Sequence, residues 1–114
     1  MKLENLPIYV DSYSLLIEIF KIVSRFNKEH KYSIGKDLKD DCFKLFEYLH
    51  QACYFPAQRI QYLESFIIIV ERIKLRLRVC NDINVIAINK LSQLNLLCDS
   101  LVKQALLWKK DSSK

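Results

Sequence analysis

Apolar residues return at steps of three and four along this chain, most clearly through Glu64–Asn81 (ESFIIIVERIKLRLRVCN). Leu63, Phe66, Val70, Ile73, Leu77 and Cys80 share one helical face at these steps. Ile73–Val79 also alternates apolar and basic, as a half-buried strand would. The helical series, however, runs over roughly five turns, unbroken by Gly, Pro or Asn-Gly, which is far beyond a typical strand. At about 100° per residue, Ile68, Leu75 and Val79 lie nearly opposite that face. Two apolar faces call for two partners. The pattern therefore predicts a helix with one face in its own bundle and one towards a neighbour. The i,i+4 basic pairs Arg72/Arg76 and Lys74/Arg78 stand between the faces.

The same periodicity predicts three more helices. The first covers about residues 6–26, with a core row of Tyr9, Tyr13, Leu16, Phe20 and Val23. A second row, Leu15, Ile19, Ile22 and Phe26, exceeds the arc that one core face needs. Asp11, Ser14, Glu18, Lys21 and Arg25 form its polar face. Residues 27–32 read as a polar connection, and Ser33 as an N-cap whose hydroxyl accepts a free amide. The second helix, residues 33–54, carries the seam Leu38, Cys42, Leu45, Leu49, Ala52 and ends before Phe55-Pro56. The third spans 57–81. The fourth spans 87–109, on Ala87, Leu91, Leu94, Cys98, Leu101, Ala105 and Trp108, with a frayed polar tail at 109–114. Short loops between four such helices predict one all-α domain over residues 1–114, an antiparallel up-down-up-down four-helix bundle.

Composition agrees with this. One Gly and two Pro in 114 residues leave little room for β-turns. The longest wholly apolar run, Phe66–Val70, is far too short to cross a membrane, and residues 1–10 lack signal-peptide features. A cytoplasmic protein without membrane contact is expected. Cys42, Cys53, Cys80 and Cys98 show no CxxC spacing and read as reduced thiols packed as small hydrophobes, with no metal or cofactor.

The net charge of +5 permits an anionic partner. In the antiparallel topology, Lys21, Arg25, Lys28, Lys31, Lys36, Lys39, Arg72, Lys74, Arg76, Arg78 and Lys90 collect in one half. Glu18, Glu29, Asp37, Asp40, Asp41, Glu71 and Asp82 oppose them, which leaves an excess of four positive charges. Arg72 and Arg76 stand out: alike in charge at i,i+4, neither has an acid three or four residues away on its own helix. Two readings are open. The arginines face an acidic or phosphate partner, or they pair with acids of the second helix or a neighbouring subunit. Lys74 has Glu71, and Arg78 has Asp82, at helical distance.

No catalytic set emerges. Gly35 stands alone, so no glycine-rich phosphate loop exists. His30 and His50 are too few and scattered for a triad or metal site. Asp40 and Asp41 are adjacent, point apart on a helix and suit its dipole. His50 and Cys53 lie at i,i+3, but a half-buried histidine explains that spacing. Phe20, Phe43, Phe46, Phe66 and Trp108 read as packing residues, and Tyr9 and Tyr13 as core or interface.

Asn5–Phe20 (NLPIYVDSYSLLIEIF) and Phe26–Lys39 (FNKEHKYSIGKDLK), together with Glu71–Cys80 (ERIKLRLRVC) and Trp108, resemble the small bacterial four-helix-bundle proteins. That superfamily includes proteins encoded in intervening sequences of 23S ribosomal RNA genes. It also includes accessory variability determinants of diversity-generating retroelements, which this chain resembles more. Many relatives carry Pro where this chain has Asn27. The resemblance implies a ring-shaped homopentamer that associates with the retroelement reverse transcriptase and with RNA, and with DNA, to support mutagenic copying, with no catalytic residues of its own. The alternative is an intervening-sequence-type bundle serving as an interaction module. In the retroelement reading, Arg72, Arg76, Lys74, Arg78, Lys21, Arg25, Lys28, Lys31, Lys36 and Lys39 are the expected nucleic-acid or polymerase surface. The spare rows Leu15, Ile19, Ile22, Phe26 and Ile68, Leu75, Val79 are the expected subunit interfaces.

Overall fold

The computed structural model describes residues 2–113, and they form an all-helical protein with four long helices. These are α1 (Pro7–Val23), α3 (Ile34–Tyr54), α4 (Arg59–Asp82) and α5 (Ile88–Ser112); a one-turn helix α2 (Lys28–Lys31) lies between α1 and α3. Single 3-10 turns precede α1 (Leu3–Asn5) and α4 (Pro56–Gln58). The packing runs round a square: α1 against α3 and α5, and α4 against α3 and α5. The molecule measures 46 × 22 × 21 Å.

The boundaries follow local chemistry. Pro7 opens α1, where its missing N–H is no loss. The polar connection after α1 contains α2, because the Asn27 Oδ1 accepts the His30 amide at 3.0 Å and caps a helical turn there. Ser33 does precede α3, but its hydroxyl donates to the Glu29 carbonyl at 2.8 Å instead of capping α3. Gly35 sits where the chain folds back: a Cβ there would lie 2.7 Å from Val23 Cγ1 and 3.1 Å from the His30 carbonyl oxygen. Only glycine lets α3 start this close to α1 and α2. Pro56 opens a 3-10 turn, so α4 begins at Arg59, slightly later than the periodicity predicts. α4 ends in a turn in which Asn84 has φ 64° and the Val85 and Ile86 amides return to the Cys80 carbonyl. Asn is among the few residues that take this left-handed conformation readily. The tail expected to fray is helical to Ser112, and Lys114 lies outside the described residues.

The core is built from the expected seams of α3, α4 and α5. α1 differs from expectation. Leu15, Ile19, Ile22 and Phe26, read as a spare interface row, are buried within the single chain. Of the row assigned to the core, Leu16 and Val23 are buried, but Tyr13 is 53% and Phe20 38% exposed. The core direction lies nearer the second row, which is buried whole, and the first row contributes only its near edge. The stripe on α4 behaves as its position predicts: Ile68, Leu75 and Val79 are all exposed.

Candidate binding surfaces

α3 brings Asp37 and Asp41 onto the flank that meets Arg72 and Arg76 of α4. Asp41 is buried, at 3% exposure, and is the only charged side chain in the core among the described residues. Arg72 Nε donates to both of its oxygens, at 3.1 and 3.2 Å, and Arg72 Nη2 donates to Oδ1. Arg76 Nε donates to Oδ2 at 2.9 Å, and Arg76 Nη1 reaches Asp37 Oδ2 at 3.4 Å. One carboxylate thus holds two guanidinium groups, and the bond to Asp41 pushes Arg72's pKa further up. Of the two readings of this arginine pair, the acids of α3 are what the structure provides. Asp41 is therefore a structural counter-ion and not a helix-dipole residue. The sequence signal was present, since α3 has acids four apart just as α4 has arginines.

The other cations divide in the same way. Lys74 passes over Glu71 and bonds Asp99 of α5 at 2.7 Å, which raises its pKa. Lys90 bonds Glu18 at 2.8 Å, with Lys21 at 3.7 Å from the same carboxylate. Lys36 bonds Asp40 at 2.7 Å, and that bond raises its pKa. Lys39 Nζ sits 4.8 Å from the centre of the Phe20 ring. Of the ten residues expected to form the basic surface, Arg25, Lys28, Lys31, Lys39 and Arg78 make no ion pair among the described residues; Arg78 does not engage Asp82. Arg25, Lys28 and Lys31 lie within seven residues at the end of α1 and on α2. Arg25 and His30 share a shallow cleft with Ile83, Asn84 and Val85, so this segment adjoins the α4–α5 turn. Arg78 lines the neighbouring α4–α5 groove, and Lys21 and Lys36 stay largely exposed although ion-paired.

Candidate reactive groups have structural roles. Cys42, Cys80 and Cys98 are buried free thiols. Burial pushes Cys98 up to about 12 and Cys80 up to about 11, and raises Cys42 also, so all three stay protonated. His50 is exposed, not half-buried, and its Nδ1 lies 2.7 Å from the Phe46 carbonyl oxygen. No group of three metal-binding side chains occurs among the described residues, nor any helix long and apolar enough to cross a membrane.

Periodicity misplaced several aromatics. Phe66 is buried and Trp108 is half-buried, with Arg59 stacked 5.4 Å from its ring centre. Phe20 and Phe43 (51% exposed) instead pack edge to face at the surface, 6.0 Å apart. Tyr9 meets Phe46 at 5.1 Å and His50 at 6.2 Å, and His50 stacks on Tyr54 at 6.3 Å. Together they make an aromatic seam between α1 and α3.

Comparison with protein-family models, curated proteins and solved structures found no match. The class is therefore defined by the fold and surfaces alone: an all-helical protein with a basic corner and two exposed apolar stripes.

Proposed function

We propose that this chain is a non-catalytic accessory protein of a diversity-generating retroelement. It binds the reverse transcriptase and the template RNA or its DNA copy, and it assembles as a homopentameric ring. The observation that carries the reading is the cluster of unpaired cations at Arg25, Lys28 and Lys31. Three positive side chains without ion pairs, beside a shallow cleft at the α4–α5 turn, suit phosphate contact better than internal stability. The antiparallel topology that places this corner is supported by contacts of opposed numbering: Asp41 with Arg72 and Asp37 with Arg76, Asp99 with Lys74 and Glu64 with Lys109. The ring contact is assigned to the α4 stripe Ile68, Leu75, Val79, which is apolar, exposed and backed by a filled core.

The test is anisotropy titration of a template-like single-stranded RNA at several salt concentrations. Affinity should fall steeply with salt through counterion release. The Arg25→Ala/Lys28→Ala/Lys31→Ala variant should flatten the log–log salt slope by about 2, three phosphate contacts at about 0.7 each. It should keep its helical signal and also lose co-purification with the polymerase. RNA affinity indifferent to salt, or untouched by the triple substitution, sinks the reading.

A further inference from the structure

The α1/α3 seam presents Val10, Tyr13, Phe20 and Phe43 to solvent, each 38–53% exposed. Exposed single apolar residues are ordinary; several large apolar side chains exposed along two adjacent helices are less so. Phe20 and Phe43 meet edge to face at the seam's centre.

The charge pattern around this seam has a symmetry of its own. Phe43 lies within one residue of the middle of α3, which runs from Ile34 to Tyr54. One turn before it stands Lys39 and one turn after it Glu47, which makes no ion pair among the described residues. Lys36, earlier on this line, is already neutralised by Asp40. Turned by a half rotation about Phe43 and laid on itself, α3 brings Lys39 opposite Glu47 twice, with phenylalanine against phenylalanine at the centre. Self-complementarity about a point is the requirement of an isologous interface.

We propose that the α1/α3 seam is a two-fold contact with a second copy of this chain, centred on Phe43 and registered by reciprocal Lys39–Glu47 pairs. This goes beyond the accessory-protein reading and does not depend on it. Whereas a ring through α4 joins copies head to tail, this contact joins them face to face.

Charge reversal tests the register. By sedimentation, Lys39→Glu and Glu47→Lys should each weaken self-association by at least about tenfold, because each sets two like-charged contacts in the interface. The double reversal should restore it, as only a reciprocal pairing allows. Phe43→Cys in a Cys53→Ser background should crosslink to its own copy with a short bismaleimide, since the other cysteines are buried. Leu75→Glu, on the outer stripe of α4, should open any ring and leave that crosslink intact. A 13.5 kDa monomer at every concentration overturns the contact. So does an assembly in which the double reversal stays as weak as the single ones.

Discussion

The two flanks of α3 solve opposite problems. Towards α4 the helix carries acids and meets arginines, and every charge at the contact is answered inside the chain. Towards α1 it carries aromatics, which pair edge to face yet remain half in water. The first flank is closed and the second is open. A closed polar contact is costly to disturb because a buried charge left alone cannot be rehydrated. An open apolar contact is cheap to disturb within the monomer, since its rings already touch solvent. The difference separates residues that hold the fold from residues available to a partner, although both sets alternate along one helix.

The largest effect should come from breaking the closed flank. Asp41→Ala leaves Arg72 without a counter-ion and Arg76 with only the longer contact to Asp37. Losing one partner of a buried pair costs about 3–5 kcal/mol, and the partial exposure of both arginines points to the lower end. Urea denaturation should show a reduced midpoint with an unchanged slope. Arg72→Glu/Arg76→Glu should be worse, as it crowds four carboxylates with Asp37 and Asp41, and should melt early whether or not RNA is present. A double variant with wild-type stability would mean that the clamp is ordinary surface charge.

That outcome bears on what the sequence could reveal. Helix number and core seams were legible because a 3.6-residue period repeated over 17 to 25 residues averages out local exceptions. The role of Arg72 and Arg76 was legible only as two open readings, one of them the acids of the second helix, because periodicity gives the face of a residue and not its neighbour. The missing acid on their own helix was a true signal, but an acid one helix away satisfied it. The rows of α1 were misjudged for a related reason. A helix carrying more apolar residues than its core arc needs has no sequence mark for the arc's centre, so Leu15 and Ile19 went in while Tyr13 and Phe20 stayed out. The turns were partly legible: Pro56 marked the α3–α4 turn as expected, whereas the one-turn α2 depends on a single Asn27 cap.

The open flank should yield a smaller effect on the monomer. Phe43→Ser removes one edge-to-face contact, worth about 0.5–1.5 kcal/mol at most when both rings are half exposed. Thermal melts at a concentration where the chain is monomeric should show that small loss. A loss as large as that of Asp41→Ala would place Phe43 in the core and erase the contrast between the flanks.

Ser12 sharpens the comparison from the core side. It is fully buried on α1 and its hydroxyl has no hydrogen-bond partner. A buried polar group without a partner costs free energy, so Ser12→Ala should be neutral or stabilising by up to about 1 kcal/mol. Measurable destabilisation would indicate a partner for the hydroxyl, such as an internal water.

The smallest effect belongs to the α1–α5 contact, which is polar like the closed flank but exposed like the open one. Lys90, and more weakly Lys21, hold the Glu18 carboxyl below its ordinary value of 4.5. A carboxylate whose pKa is depressed on folding adds stability that is present above its unfolded pKa. That stability is lost as pH falls through the folded value. The difference in stability between wild type and Glu18→Gln should therefore be level from neutrality to about pH 5 and shrink below the ordinary carboxylate range. Because the Glu18 side chain is 33% exposed, the plateau should stay below about 1 kcal/mol and diminish with added salt. A difference that grew as pH fell would reverse the sign of the linkage and show that Glu18 is strained by folding, not stabilised.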